Sequence, residues 1–176
     1  MITNLPRQWS PENVLLWNRI LAHCFENTDQ VVDFVWSLRQ QNGWSLIKAR
    51  KAIEEYRRFC FLACQREVCP SIQVDQVWHL HLLYTRDYWK EFCPKVLMRE
   101  LHHGPSKGGR SEDLKHRGLY LETIQAYEDW FGELPSKEFW QVEEKRFSPA
   151  SFWRWIDVSD YWIIPKYHKW REKCQG

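Results

Sequence analysis

The chain has 176 residues, with 25 Lys and Arg against 23 Asp and Glu, and a formal net charge of +2. This length suits one domain with its own core, so no disulfide is required. Charges of both signs are interspersed, which argues against a nucleic-acid binder held by phosphate contacts. Tryptophan is unusually abundant at 12 residues, several times ordinary usage. These rings either build a small core or line a pocket.

No apolar run approaches the roughly 20 residues that a membrane-spanning helix needs. The N-terminal sequence also lacks the pattern of a signal peptide, so we expect a cytoplasmic protein without membrane contact. The six cysteines include no C-x-x-C pair, and a reducing compartment keeps them as thiols. Cys60 and Cys64 are one helical turn apart and could share a metal ion, although free cysteines are commonly small core residues.

The N-terminal part of the chain predicts two helices. Ser10-Pro11 is a typical helix start, and apolar residues at helical spacing extend this helix to about residue 26. Thr28-Asp29 opens a second helix, which ends at Asn42-Gly43.

The middle of the chain predicts three more helices. Ser45 caps the long segment LIKARKAIEEYRRFCFLACQ, which ends before Cys69-Pro70 and carries one apolar stripe. Residues 74–83 form a buried helix. Thr85 then caps a short helix that ends at Cys93-Pro94, because a proline disfavours helical angles in the residue before it.

A Gly/Pro loop near 102–111 precedes the C-terminal part of the chain. Ser111 begins another long helix, which Gly132 closes. The last segment, 135–176, is rich in tryptophan and partly irregular: Ser148-Pro149 starts a further helix, and YWIIP is extended.

The predicted fold is therefore all-α. We expect a compact single-domain bundle of about six to seven helices over 1–176, with a core of about 10–134 and the tryptophan-rich segment packed on it.

The stretch VDQVWHLHLLYTRDYW, residues 74–89, carries the most informative pattern. On a helix, Asp75 and His79 lie on one face, where the carboxylate can ligate a metal beside the histidine or hold its other nitrogen. His81 points roughly to the opposite face, so a continuous helix cannot aim both histidines at one ion. Either His79 joins Asp75 and a loop histidine while His81 lies elsewhere, or the backbone here is not a regular helix.

His102 and His103 begin the Gly/Pro loop, where functional side chains are often found. A carboxylate, His79 and one of these two histidines would match the three protein ligands of a catalytic zinc, or the two-histidine, one-carboxylate pattern of non-haem iron. Glu112 is a further candidate, equally typical of a helix N-terminus. The alternative for each histidine is a hydrogen-bonded polar residue packed among aromatics.

The string PSIQVDQVWHLHLLYTRDYW, then Cys93 and LHHGPSKGGRSE, resembles the glycine-rich domain-containing protein-like family. Members of that family share a V-D-x-x-W-H-x-H core, a following tyrosine and a downstream histidine. The resemblance runs from about Glu55 to YWIIP and implies no particular enzymatic activity. Long glycine-rich tails in some members suggest roles in larger assemblies, but this chain has only 7 glycines. By matching position, the resemblance singles out Asp75, Trp78, His79, His81, Tyr88 and His102.

Three functions remain open. The first, which we favour for the site, is a small metal-binding domain that holds Zn or non-haem Fe, with its reaction and catalytic residues unassigned. The second is a metal-free protein–protein interaction module, whose His/Asp/Trp network is structural and whose tryptophan-rich segment docks a protein partner. The third is a metal-free enzyme that uses the histidines as acid and base.

The candidate site residues fall into two groups. The predicted metal ligands are Asp75, His79, His81, His102 and His103. The residues predicted to contact a substrate or partner are Trp78, Tyr88, Cys93 and Glu112.

Overall fold

A computed structural model describes residues 9–26, 32–104 and 108–148. Within these ranges the chain forms seven α-helices, one π-helix and no strand, which confirms the all-α fold. None of these helices is long and apolar enough to cross a membrane. In chain order the elements are α1 (Pro11–Ala22), α2 (Phe34–Asn42), α3 (Leu46–Gln65), α4 (Ile72–Leu83), α5 (Thr85–Asp87), the π-helix (Tyr88–Leu97), α6 (Arg110–Phe131) and α7 (Glu143–Arg146).

The long helix α3 lies at the centre and contacts α1, α2, α4, α6 and the π-helix. Its start matches the prediction, because the Ser45 hydroxyl accepts a hydrogen bond from the Lys48 N–H at 3.2 Å. Tyr56, Phe59 and Phe61 on this helix are fully buried. Large aromatic rings on a central helix explain how a chain of this size fills its core.

Helix α1 begins where the sequence predicts and ends earlier. The Ser10 hydroxyl accepts from the Asn13 N–H at 3.3 Å, and Pro11 is the first helical residue. The predicted extension to about residue 26 is wrong, because α1 ends at Ala22 and the backbone of His23 is extended. A guanidinium from α3 binds the last carbonyl groups of α1, so a long-range contact ends the helix.

Helix α2 begins later than predicted. Its cap is Asp33, whose carboxylate accepts from the Trp36 N–H at 2.7 Å. Thr28-Asp29 lies outside the described residues. The predicted end at Asn42-Gly43 is confirmed, since Gly43 has the left-handed conformation (φ 61°) that glycine adopts without strain.

Helix α4 begins two residues before the predicted start, after the Ser71 cap. The predicted helix end at Cys93-Pro94 is wrong, because the π-helix continues through Pro94 to Leu97. In an α-helix the proline ring clashes with the carbonyl four residues earlier. The chain here forms the wider π-helix, whose hydrogen bonds run five residues back instead of four. Thr85 makes no side-chain capping bond.

Helix α6 begins at Arg110 rather than at the predicted Ser111 cap. Its end at Gly132 (φ 71°) confirms the prediction. Beyond it, Phe139 and Trp140 are buried in the core, and the short α7 was not predicted. The helix start expected at Ser148-Pro149 falls at the limit of the described residues, and YWIIP and the rest of 149–176 lie outside them.

Candidate metal centres

Helix α4 carries one histidine into each of two side-chain clusters. The Asp75 cluster comprises Asp75, His79 and His103, and the Asp87 cluster comprises His23, His81 and Asp87. Within each cluster the candidate ligand atoms lie within 4.8 Å of one another. Because α4 is a continuous helix, His79 and His81 point into different clusters, as the helical geometry predicts.

The Asp75 cluster lies at the surface. The His103 Nε2–H donates to Asp75 Oδ1 at 2.8 Å, and Asp75 Oδ2 lies 3.9 Å from His79 Nδ1. The rings of His79 and His103 are 4.4 Å apart between centroids. The His79 side chain is 55% exposed, whereas those of Asp75 and His103 are 25% and 21% exposed. The cluster therefore opens to solvent on the side of His79.

A buried network behind the cluster positions His103. The Trp78 ring packs edge-on against the His103 ring, with 4.5 Å between centroids. Trp78 Nε1–H donates to the Tyr88 hydroxyl at 2.8 Å, and that hydroxyl donates to the Leu101 carbonyl. The Cys93 thiol contacts the Leu101 N–H, and burial raises its pKa. Trp78, Tyr88 and Cys93 thus anchor the backbone two residues before His103.

The other predicted site residues lie outside both clusters. His102 is exposed and pairs with Glu100, with 2.8 Å between His102 Nε2 and Glu100 Oε2. On α6, Glu112 Oε1 lies 3.2 Å from His116 Nε2. Cys60 and Cys64 pack in the core, and burial raises the pKa of both thiols, so both stay protonated at neutral pH. Of the two loop histidines, His103 alone joins a cluster.

The Asp87 cluster joins three separate elements. Asp87 Oδ2 accepts hydrogen bonds from His81 Nε2 at 2.8 Å and from His23 Nε2 at 3.1 Å. His81 comes from α4, Asp87 from α5, and His23 follows the end of α1. His81 is fully buried, with the rings of Phe25 and Phe92 5.0 and 4.7 Å away. Sequence reasoning missed His23 and Asp87, because 64 residues separate them and no local pattern joins them.

The environment of the Asp87 cluster fixes its protonation. Burial lowers the pKa of His81, against the opposing effect of Asp87. Burial opposes ionisation of Asp87 too, but the hydrogen bonds from His23 and His81 outweigh it and hold the pKa of this carboxyl well below its usual range. At neutral pH an ionised Asp87 therefore faces a neutral His81, in the states that metal ligands require.

Two adjacent residues of α3 position the histidines of the Asp87 cluster. The Tyr56 hydroxyl lies 3.0 Å from His81 Nδ1, and burial raises the pKa of Tyr56 well above its usual value. The buried Arg57 guanidinium donates to the His23 carbonyl at 2.8 Å and also to the carbonyls of Ile20 and Leu21. The Tyr56-Arg57 pair therefore fixes one ring and the backbone that carries the other.

A cavity of about 210 Å³ opens beside the Asp87 cluster. Its lining consists of three acidic residues, three aromatic residues and one cysteine: Glu26, Asp33, Asp87, Phe25, Phe34, Tyr84 and Cys24. The Asp87 side chain is 37% exposed, so its carboxylate contacts both the histidines and the solvent.

The fold and these clusters define an all-α protein whose described residues include two His/Asp groups that could each hold a metal ion. The model of the UCP032817-like family matches residues 25–125, more than half of the chain, and the chain belongs to this family. The matched residues include the whole Asp75 cluster, together with His81 and Asp87 but not His23. Comparisons with curated proteins and with solved structures found no match. The resemblance to the glycine-rich domain-containing protein-like family stays a prediction.

Proposed function

We propose that the protein is a metal-binding helical domain whose Asp75 cluster holds one Zn²⁺ or Fe²⁺ ion. The observation that carries this proposal is the convergence of Asp75, His79 and His103 within 4.8 Å. Two of these ligands come from one face of α4, and the third comes from the loop after the π-helix. Two imidazoles and a carboxylate are the ligand set of catalytic zinc and of non-haem iron.

The geometry of the cluster supports a site with open positions. The Asp75 carboxylate lies between the two histidines, with one oxygen towards each. The exposed His79 leaves the cluster open to solvent, and an ion held there would act as a Lewis acid and lower the pKa of a bound water. Trp78 and Tyr88 hold the His103 segment from behind.

Metal titration of the full chain tests the proposal. Chelator-treated protein is titrated with Zn²⁺ or, anaerobically, Fe²⁺, followed by calorimetry and by metal analysis after gel filtration. We expect His103→Ala to bind one equivalent less than the unaltered chain. His102→Ala is the matched control, because this neighbouring histidine lies outside both clusters and its loss should change nothing.

Two outcomes would overturn the proposal: His103→Ala with unchanged stoichiometry and affinity, or no metal bound by any folded variant. The second outcome would favour the metal-free alternative, an interaction module in which the same residues form a structural network. The search would then turn to protein partners of the tryptophan-rich segment.

A further inference from the structure

We propose that the Asp87 cluster is a second, separate binding site for a divalent first-row transition-metal ion such as Zn²⁺, with His23 Nε2, His81 Nε2 and Asp87 Oδ2 as ligands. This site is independent of the Asp75 cluster, since the two share no residue. His81, fully buried on the opposite face of α4 from the exposed His79, belongs to this second site.

The spacing of the three atoms suits an ion. Asp87 Oδ2 lies 2.8 and 3.1 Å from the two Nε2 atoms. Ligand distances of about 2.0 to 2.2 Å in a tetrahedral site put neighbouring ligand atoms about 3.3 Å apart. The two distances to Asp87 Oδ2 therefore need to lengthen by only a few tenths of an ångström, and the candidate ligand atoms all lie within 4.8 Å of one another. The ion would take the place of the two N–H protons that now point at one carboxylate oxygen.

The surroundings of His81 accommodate the required change of tautomer. When Nε2 binds a metal, the proton of a neutral imidazole must lie on Nδ1. Nδ1 faces the Tyr56 hydroxyl at 3.0 Å, and a hydroxyl accepts as readily as it donates. The Tyr56 hydroxyl also contacts the Cys60 thiol, whose sulfur can accept a hydrogen bond from it. Tyr56 thus acts as a positioning residue in either state.

The charge balance also favours a cation. The Asp87 carboxylate lies between the two imidazoles and contacts both of them through Oδ2. The adjoining cavity carries two further carboxylates, Glu26 and Asp33. Arg50 pairs with Glu26 through two hydrogen bonds of 2.8 and 3.0 Å. Asp87 still presents its carboxylate to the cavity, which gives an ion an entry route and room for a water ligand.

Metal binding in a background without the first site tests this inference. The full-length His79→Ala/His103→Ala variant is stripped with chelator and titrated with Zn²⁺ by calorimetry and with Co²⁺ by visible absorbance. We expect one equivalent to remain. Adding Asp87→Asn, which keeps the shape and a hydrogen-bond acceptor, should weaken binding by at least about 100-fold, because the only anionic ligand is lost.

Folding is checked by circular dichroism and melting temperature for each variant, and His23→Gln serves as a second ligand variant should Asp87→Asn fail to fold. Tyr56→Phe should keep one equivalent and lower its affinity by about 10- to 100-fold, as removal of an outer-sphere partner does. The inference is overturned if the folded double variant binds no ion, or if the remaining ion survives Asp87→Asn or His23→Gln. Asp87→Asn alone leaves the Asp75 cluster intact, so failure of one site is distinguishable from failure of the other.

Discussion

His79 and His81 are two residues apart on one helix, yet one is 55% exposed beside Asp75 and the other fully buried beside Asp87. The half-turn between them therefore separates a solvent-facing group from a core group. Both are candidate metal ligands, but only the buried histidine also supports the packing of the core. This difference makes the two histidines separable by experiment.

His81→Ala should destabilise the fold far more than His79→Ala. Removal of the buried ring leaves a cavity among aromatic side chains and deprives Tyr56 and Asp87 of their partner. This should lower the free energy of unfolding by about 3 kcal/mol. His79→Ala removes an exposed side chain and should cost less than about 0.5 kcal/mol. Urea unfolding of both variants in chelator measures the difference. Equal losses would contradict the burial assigned to His81.

Arg57→Leu should also lower the free energy of unfolding, by about 2 to 4 kcal/mol. The guanidinium is buried and donates to three carbonyls at the end of α1, and these would be left without partners. Arg66→Leu is the matched control, because Arg66 pairs with Glu122 at the surface and should contribute about 0 to 1 kcal/mol. A similar loss in both variants would contradict the buried hydrogen bonds assigned to Arg57.

The sequence predicted those features of the fold that depend on neighbouring residues. Ser10, Ser45, Gly43 and Gly132 mark helix ends correctly, because a capping side chain or a positive φ acts within one turn. The end of α1 and the passage of the π-helix through Pro94 were missed. The first depends on a guanidinium from α3, and the second on a helix type that local propensity does not anticipate.

The candidate sites also have a part that neighbouring residues predict and a part that depends on long-range contacts. Asp75 and His79 are one helical turn apart, so their shared face was predictable. His103 was one of two loop candidates, and only the Trp78 and Tyr88 network selects it. The cluster around Asp87 was not predictable, since His23, just after the end of α1, is 64 residues from Asp87 and no spacing rule connects them.

Replacing the glycine within α6 and the glycine after it by alanine should change stability in opposite directions. Gly132 has φ 71°, a conformation in which a Cβ is strained, so Gly132→Ala should destabilise by about 1 kcal/mol. Gly118 lies within α6 with nothing within 4 Å of an added Cβ, so Gly118→Ala should stabilise by about 0.5 to 1 kcal/mol. Thermal unfolding of both variants checks the prediction. A stabilised Gly132→Ala would place the end of α6 elsewhere.

Glu55→Gln should raise the melting temperature at pH 7. Burial raises the pKa of Glu55, although Trp140, Arg58 and Tyr127 favour its ionised form. Trp140 Nε1–H and the Tyr127 hydroxyl donate to its Oε2 at 2.9 and 3.1 Å. Because the folded pKa lies above the unfolded one, the unfolded chain loses this proton first, and stability falls as pH rises between the two values. Glutamine resembles the protonated acid and avoids that loss.

The gain from Glu55→Gln should therefore be present at pH 7 and should disappear near pH 4, where the wild-type carboxyl is protonated in the folded chain. Melting curves across this pH range measure it. Glu91→Gln is the control, since Glu91 is half-exposed and pairs with Lys95 at the surface, so its substitution should change little at either pH. The opposite result would be a Glu55→Gln variant that melts below wild type at pH 7 but not at pH 4. It would mean that the ionised carboxylate stabilises the contact of α3 with Trp140 and Tyr127.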